Sequence, residues 1–279
     1  MKSLLLSWAH DEQMLTATIM LQIYTIPAFE DNYFWLIQPS AQDPSAYIVD
    51  PGQAAPVIEV LDHYGLTLKG ILITHHHHDH KDGALELSQR YKIPIYGPDS
   101  AKIPQVTHTL GEGDKVQLGA LTARVMLLPG HTLDHIGYYL DEGVGTPRLF
   151  SGDTLFAAGC GRLFDGSAAQ LCQSLQRIAR LPDNTLIYCA HEYTLTNIRF
   201  ALSIEPDNGD IAIRQTQEMQ KRQQSQPTIP SSLLLEKRTN PFLRCHLPQV
   251  KRQVEQLTKR TLVTECDIFT EMRRLKDQF

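Results

Sequence analysis

The histidine-rich run at residues 74–80 constrains this chain more than any other segment, because it places five of the twelve histidines and one aspartate within seven residues. The apolar residues 68–73 that precede it are typical of a buried strand. Alternate residues of an extended segment point the same way, so His75 and His77 can face one centre. Neutral imidazole binds zinc, iron and similar ions. The run therefore predicts a metal site at the end of a strand.

The other members of the run have different expected positions. Asp79 and His80 follow the turn after the strand and can reach a second ion, to which the carboxylate adds a harder, negatively charged ligand. His76 and His78 point away from the first ion and are expected in the loop. A solvated histidine-rich loop or a purification tag is the alternative explanation. Tags lie at chain termini, whereas this run lies between a predicted strand and the helix-like residues 82–87.

Three further segments repeat the arrangement of a predicted strand followed by a polar side chain. Residues 121–128 lead into His131, residues 148–150 into Asp153, and residues 186–190 into His191. Small residues such as glycine or alanine adjoin the polar residue each time and let backbone approach a crowded site. A single histidine at a strand end is most often structural, but four such segments together indicate a shared metal centre.

Seven side chains are candidate ligands: His75, His77, His131, Asp79, His80, His191 and Asp153. Two divalent ions with three ligands each and one bridging carboxylate account for all seven, and Asp153 is the natural bridge because a carboxylate has two oxygens. The charge of two ions exceeds that of the two aspartates, which favours a bridging hydroxide over water at neutral pH. Hydroxide is a nucleophile, so the pattern favours a catalytic centre. Zinc is the expected metal, with iron or manganese as alternatives.

The remaining sequence predicts an α/β fold that changes character near residue 192. Before that point, helix-like segments separate the predicted strands at residues 56–64, 82–91 and 168–181. After it, the pattern is helical at residues 210–225, 249–260 and 264–278. We expect two sheet layers covered by helices, with the site at the edge where strand ends converge. The predicted organisation is a catalytic domain at residues 20–191 and a helical substrate-binding domain at residues 192–279.

Residues 1–19 are predicted to be a separate, dispensable extension. This stretch faintly resembles a signal peptide, but its apolar part is short and charged residues follow it without a small-residue cleavage site. Met20 directly precedes the first strand-like segment.

Composition excludes several classes of protein. The five cysteines are odd in number and have no CxxC spacing, which predicts reduced thiols in a cytoplasmic protein. No apolar run reaches the ~20 residues that span a bilayer, so we expect no membrane partner. The net charge is −5, yet residues 214–279 hold 13 Lys and Arg against 7 Asp and Glu, so this region is suited to meeting an anion. The acidic balance and the lack of a recognised RNA-binding motif argue against nucleic acid as a partner.

The spacing of the seven candidates resembles the signature of the metallo-β-lactamase fold superfamily, a His-x-His-x-Asp-His run followed at increasing distance by histidine, aspartate and histidine. Over residues 20–279 the chain is more closely similar to the glyoxalase II (hydroxyacylglutathione hydrolase) family. The similar segments are residues 26–33, 150–156, 159–162, 191–194, 239–242 and 273–279. The last segment matters most, because many relatives in the superfamily lack the helical domain.

The resemblance implies an αββα metallo-β-lactamase-type sandwich with a C-terminal helical domain. It also implies hydrolysis of S-D-lactoylglutathione and related S-(2-hydroxyacyl)glutathiones to glutathione and a 2-hydroxy acid, the second step of methylglyoxal detoxification. It assigns His75, His77 and His131 to one metal, Asp79, His80 and His191 to the other, and Asp153 to both. We expect Asp79 and Asp153 to be the catalytic carboxylates. The expected partner is a small-molecule glutathione thioester, and we expect a monomer.

Contacts to glutathione carry over by resemblance to Arg162, Tyr193, Arg273 and Lys276. A glutathione thioester has two carboxylates and one ammonium, so the three cations are suited to neutralise the carboxylates, arginine through its planar fork. For Arg273 and Lys276 the alternative is a solvated helix end, where cations suit the helix dipole. Phe164 stands where some relatives have tyrosine, so this chain lacks a hydroxyl there.

Two other polar residues are candidates for supporting roles. Asp50 either accepts a hydrogen bond from a ligating imidazole or forms the turn before Pro51. His135 either lines the site or packs near it.

Other functions stay open at this point. The superfamily includes lactonases, β-lactamases, persulfide dioxygenases and tRNA-processing nucleases, and a non-catalytic metal-binding module is a further alternative. A mononuclear iron dioxygenase would leave one set of three ligands idle, and a degenerate module would be expected to have lost a ligand. All seven candidates are present, which favours a binuclear hydrolase.

Overall fold

Two six-stranded sheets form the centre of the computed structural model, which describes residues 21–141 and 145–279. The first sheet contains, in spatial order, β1 (Gln22–Ala28), β2 (Asn32–Gln38), β3 (Ser45–Val49), β4 (Thr67–Leu72), β5 (Ile95–Pro98) and β6 (His108–Leu110). The second contains β7 (Lys115–Leu118), β8 (Leu121–Leu127), β9 (Ile136–Leu140) and β10 (Arg148–Gly152). A hairpin of β11 (Leu155–Phe156) and β12 (Gly159–Cys160) follows, and β13 (Leu186–Cys189) and β14 (Ser231–Ser232) complete the second sheet beside β10. The predicted extension at residues 1–19 lies outside the described residues.

The helices lie between and after these strands. They are α1 (Ala55–Tyr64), α2 (His78–Lys81), α3 (Ala84–Tyr91), α4 (Ala168–Ile178), α5 (Thr194–Ile204), α6 (Gly209–Gln223), α7 (Leu233–Thr239), α8 (Pro248–Thr258) and α9 (Glu265–Asp277). Within the described ranges, none of them has the length and apolar character needed to cross a membrane.

The helix predicted at residues 82–91 is shorter than expected, because the chain turns at Gly83 before α3 begins. The Gly83 amide donates to the Pro51 carbonyl at 3.0 Å. A Cβ on this glycine would lie 2.5 Å from the Gln53 carbonyl carbon, so no larger residue fits. The residues before Gly83 form the separate short helix α2, which carries part of the histidine run.

Strand β2 shows how the layers are arranged, because every one of its residues is buried. Tyr33, Trp35 and Ile37 belong to the core between the two sheets. Phe34 and Leu36 face the other way, into a core shared with residues of α1 and α3. A strand that is buried on both faces requires a covering layer on each side. The predicted αββα sandwich is therefore confirmed.

Helix α4 and the helices after His191 supply the fourth layer. Residues of α5, α8 and α9 share one apolar core with α4 and with the outer face of the second sheet. Leu149 and Ile187 of the sheet and Phe269 and Met272 of α9 are members of this core. The helical region thus packs directly on the sheet.

Strand direction brings the ligand candidates to one edge. Strands β10 and β13 run parallel, so Asp153 and His191 follow them at the same end. Strand β9 is antiparallel to both β8 and β10, so β8 points the same way as β10 and delivers His131 to that end. Strand β4 of the first sheet ends beside them, immediately before the histidine run.

One expectation about the cysteines is wrong. All five were expected as reduced thiols, but Cys172 of α4 and Cys266 of α9 form a disulfide, with a Cα–Cα distance of 5.8 Å. The two residues are separated by 94 positions and meet because their helices pack side by side. Spacing along the chain therefore carries no sign of the bond. Cys160, Cys189 and Cys245 are free and buried, as expected for thiols.

Candidate metal centre

The first group of candidate ligands contains His75, His77, His131 and Asp153, whose ligand atoms all lie within 4.8 Å of one another. Nδ1 of His77 lies 3.1 Å from Nε2 of His75 and 3.0 Å from Nε2 of His131. Nε2 of His131 is also 3.3 Å from Oδ2 of Asp153. Three ring nitrogens and a carboxylate oxygen therefore face one point.

The second group contains Asp79, His80 and His191. Oδ2 of Asp79 lies 3.3 Å from Nε2 of His80 and 3.4 Å from Nε2 of His191. The same two nitrogens lie 3.5 and 3.4 Å from Oδ1 of Asp153. The two oxygens of Asp153 thus face different groups. The structure brings all seven sequence-predicted residues together.

The donors in these groups fit metal ions. Nε2 of His80 and Oδ1 of Asp153 are buried and have no hydrogen-bond partner in the protein. Unpaired buried polar atoms are costly, and a cation between them would satisfy both. Imidazole nitrogen with carboxylate oxygen is a ligand set that suits first-row metals. The cluster is able to bind metal ions.

Local backbone conformation separates the histidines of the run. His77 is extended, with φ −66° and ψ 150°, and α2 begins directly after it, so the helix turns Asp79 and His80 back towards the second group. His76 points away and its Nδ1 lies 2.9 Å from the Asp134 carboxylate. His78 is exposed beside Asp82 and so points away from the first group as predicted, but it is the first residue of α2 and does not lie in a loop. Alternation along the strand and one helical turn thus produce both groups.

Hydrogen bonds fix the outward-facing nitrogen of several ligands. His80 Nδ1 donates to Asp50 at 3.0 Å, and His191 Nδ1 donates to Asp31 at 2.8 Å. His131 Nδ1 donates to the backbone carbonyl of Arg162 at 2.6 Å. Such partners set the tautomer and the orientation of a ligating imidazole. Of the two roles that the sequence left open for Asp50, the structure favours the bond to an imidazole.

Sequence reasoning did not identify Asp31 and Asn32. Asn32 donates from Nδ2 to Oδ2 of Asp79 at 2.9 Å, and it forms a β-bridge with His191. Their only signal in the sequence is their place in the segment 26–33 that resembles the family. No role followed from that segment, because the contacts join positions 47 and 160 residues apart.

His135 is part of the centre although it is not a candidate ligand. Its ring is buried and stacks on His75, with centroids 4.7 Å apart and planes at 20°. The Asp153 amide donates to its Nε2 at 3.0 Å. Gly152 makes this approach possible, because a Cβ there would lie 2.8 Å from that nitrogen. His135 therefore holds the backbone of the bridging aspartate.

The charges of the site favour a cation. Burial and neighbouring imidazoles lower the pKa of His77 to about 4, so this ring is neutral and available as a ligand. Burial alone would lower the pKa of His191, but the charge of Asp153 and the hydrogen bond to Asp31 outweigh burial and raise the pKa to about 9. The pKa of Asp153 is lowered despite its burial, chiefly by His191 and His80. The second group is thus a region of negative potential where a positive ion is stabilised.

Two family models match adjacent parts of the chain. The metallo-beta-lactamase superfamily model matches residues 30–191, and the model described as hydroxyacylglutathione hydrolase C-terminus matches residues 192–279. The hydroxyacylglutathione hydrolase of Hahella chejuensis is 48% identical over 260 residues, which cover 93% of this chain and 100% of that protein. This chain belongs to the hydroxyacylglutathione hydrolase family. The family member from Nitrosomonas europaea is 45% identical over 262 residues, which cover 93% of this chain and 97% of that protein. The resemblance drawn from the sequence is confirmed.

Solved structures share the fold. ETHE1 from Myxococcus xanthus superposes with a TM-score of 0.61 at 25% identity, covering 91% of this chain and 98% of its own. TTHA1623 in a di-iron-bound form has a TM-score of 0.56 at 24% identity, and the match covers 80% of this chain and 100% of that protein. At this level of identity the match to TTHA1623 describes the fold alone.

The four residues that resemblance to hydroxyacylglutathione hydrolases assigns to glutathione lie in two places. Tyr193 lies parallel to the His191 ring, with centroids 4.7 Å apart and planes at 4°. Arg162, Arg273 and Lys276 lie where the start of the 161–166 loop meets the end of α9. Phe164 is exposed at the first group, with its ring centroid 4.6 Å from that of His77.

The cations at the end of α9 have different environments. Arg162 is largely exposed, and its Nε lies 3.4 Å from the Asp277 carboxylate. Arg273 is buried and donates to the Cys160 carbonyl at 3.1 Å and to Asp277 at 3.0 Å. Lys276 lies between two aromatic rings, and burial together with the charge of Arg273 lowers its pKa to about 8. Arg273 thus anchors this end of the helix, while Arg162 is free to meet solvent.

Proposed function

We propose that this chain hydrolyses S-D-lactoylglutathione and related S-(2-hydroxyacyl)glutathiones to glutathione and a 2-hydroxy acid such as D-lactate. The observation that carries the proposal is Asp153, whose two oxygens face two separate groups of imidazoles. A shared carboxylate between two ligand groups is the arrangement of a binuclear hydrolytic centre. We assign His75, His77 and His131 to one divalent ion, Asp79, His80 and His191 to the other, and Asp153 to both, with zinc as the metal and iron or manganese as alternatives.

When bound, two divalent ions would supply a Lewis acid for the thioester carbonyl and hydroxide at neutral pH. The chain's residues orient the reacting groups. Asp79 has a lowered pKa, because the nearby His80 ring and the hydrogen bond from Asn32 outweigh the effect of its burial, so it is an ionised acceptor for a water proton. Asp153 is held through its amide by His135. The leaving group is a thiol with a pKa near 8.5, so its departure as a thiolate needs no dedicated acid.

The peptide end of the substrate matches the charges at the end of α9. Arg162, Arg273 and Lys276 are three cations, and Asp277 is one anion between the two arginines. Glutathione has the opposite set, two carboxylates and one ammonium. A substrate carboxylate approaching Arg162 would meet a side chain that is largely exposed and singly paired, which keeps the desolvation cost small.

We propose that two regions of the chain have different roles. Residues 20–191 hold the metal centre and Arg162. Residues 192–279 hold Tyr193 and the cations of α9.

We further propose that the enzyme is a cytoplasmic monomer that uses a small molecule as its partner. Sedimentation of the purified protein tests the monomer, since a stable dimer would appear at twice the mass of 31.5 kDa.

Metal content and substrate choice test the reaction. The purified protein should contain about two metal ions per chain and should hydrolyse S-D-lactoylglutathione in preference to a β-lactam, a lactone or a phosphodiester. A single iron with oxygen consumption would instead indicate a dioxygenase, and no metal would indicate a degenerate module.

Substitutions test the substrate end separately. Arg162→Ala and Lys276→Ala should raise KM by about tenfold each with little change in kcat, because contacts far from the reacting carbonyl act as uniform binding. Arg252→Ala is the matched control, since it removes an exposed cation from α8 in the same region. Equal KM values for all three variants would contradict the proposed recognition of glutathione.

A further inference from the structure

The Cys172–Cys266 disulfide joins helix α4 of the sheet region to helix α9. Among the five cysteines, which all lie in the described residues, Cys266 alone is not buried. It is the second residue of α9, so its sulfur is at the open end of the helix. The disulfide thus contains the one cysteine of the described residues that is only partly buried.

The same helix carries the residues proposed to act on the substrate. Arg273 follows Cys266 by seven residues, a distance of about 10 Å along a rigid helix. Arg273 donates to the Cys160 carbonyl, one residue before Gly161. Gly161 lies so close to the bridging aspartate that a Cβ there would be 1.9 Å from the Asp153 carbonyl oxygen. A shift of α9 would therefore reach the edge of the metal centre.

A side-chain hydrogen bond also joins the first turn of α9 to α4. Gln176 donates to Glu265 at 3.0 Å, and this bond is exposed. The buried apolar side chains of α9 begin two residues after Cys266, with Ile268 and Phe269. Opening the disulfide would remove the covalent link between α9 and α4, while Ile268 and Phe269 would keep the helix on the core, so α9 would be freer to shift without unfolding of the protein.

We propose that the Cys172–Cys266 bond is a thiol-exchange site for a small thiol of the glutathione class, and that its opening weakens binding of the thioester. The inference rests on the proposed function in one respect, because that reaction releases glutathione beside α9. Arg162, Arg273 and Lys276 would be the contacts affected.

The exchange uses two molecules of thiol. The thiolate of the first attacks Sγ of Cys266, the Cys172–Cys266 bond breaks, and Cys172 leaves as a thiolate that takes up a proton. The thiolate of the second attacks the glutathione sulfur of the mixed disulfide and releases Cys266 as a thiol. The two thiols are oxidised to glutathione disulfide, and the protein disulfide is reduced by two electrons.

Redox titration of the wild-type protein tests the proposal. The protein is equilibrated in glutathione buffers of different ratio, desalted to remove product inhibition, and then assayed for free thiols and for KM. The expected result is three thiols in oxidising buffer and five in reducing buffer, with KM rising about three- to tenfold on reduction, as when one charged contact is weakened. Five thiols in every buffer, or a change in thiol count with constant KM, would overturn it.

Two variants identify the bond. Cys266→Ser should show the KM of the reduced form in both buffers, whereas Cys245→Ser, which removes a buried free thiol, should respond like the wild type. A response that persists in Cys266→Ser would refute the assignment.

Hydrogen exchange in the first turn of α9 should increase on reduction, and this measurement needs no substrate. A protein that opens this turn but hydrolyses no glutathione thioester would disprove the proposed function and leave the exchange site standing.

Discussion

Neutralising the carboxylates behind His191 and His80 should weaken metal binding by different amounts. Replacing a partner of this kind commonly costs 10- to 100-fold in metal affinity, about 1.4 to 2.7 kcal/mol. Asp31 is 38% exposed in its side chain, so water can replace part of its bond to His191, and Asp31→Asn should fall near the tenfold end. Asp50 is 4% exposed and also accepts from the amide and hydroxyl of Thr74, so Asp50→Asn should approach 100-fold. Asparagine tolerates the positive φ of 51° at that position, so the backbone can stay unchanged.

In the assay, metal-free protein competes with a chromophoric chelator for the metal. The competition gives the dissociation constant of the ion that the protein binds less tightly. Asp82→Asn is the matched control, because Asp82 pairs with His78 at 3.0 Å in the same run and His78 is 87% exposed. The control should bind metal like the wild type. If Asp31→Asn and Asp50→Asn retained wild-type affinity, or if Asp82→Asn lost as much, the orientation of ligands by these carboxylates would be refuted.

Three further outcomes follow from the structure. KM for the thioester should rise as pH increases through about 8, because Lys276 loses its charge there, and Lys276→Arg should remove that rise; identical pH profiles would contradict this role. Arg214→Met should lower the free energy of unfolding in urea by about 3–5 kcal/mol, because it leaves the buried Glu236 carboxylate without its cation. Adding Glu236→Gln should recover part of that loss in the double variant. A loss below ~1 kcal/mol for Arg214→Met would contradict this role of the ion pair. Gly152→Ala should abolish metal binding and activity together, because the new Cβ would lie 2.5 Å from a neighbouring side chain. Gly113 also has a positive φ but lies in open space, so the control Gly113→Ala should cost only about 1 kcal/mol of stability.

Local patterns in the sequence predicted the elements that deliver the ligands. The strand predicted at residues 68–73 is β4, and the helix predicted at residues 56–64 is α1, each within one residue at either end. These predictions succeed because periodicity reports burial of a single element. The convergence of the seven side chains also followed, since each of the four segments that carry them comes after a strand and contains metal-binding side chains.

Contacts between distant segments could not be predicted in the same way. The role of Asp31 depends on β2 beginning beside His191, and no local pattern encodes that adjacency. The Cys172–Cys266 bond depends on the packing of α4 against α9. Likewise, the sequence around Arg273 is typical of a solvated helix end, but Arg273 is buried and donates to the Cys160 carbonyl. In each case tertiary packing determines the contact, whereas the local sequence pattern describes only one of the two partners.

The shared core beneath α5, α8 and α9 limits how this enzyme can be divided or redesigned. A fragment ending at His191 would keep α4 but lose the other helices of this core, so it would expose apolar surface and tend to aggregate. Grafting the helices of another relative would require repacking of the whole interface. Changes of substrate are therefore easier to introduce in the exposed 161–166 loop, at positions such as Arg162 and Phe164, than by exchange of the helical region.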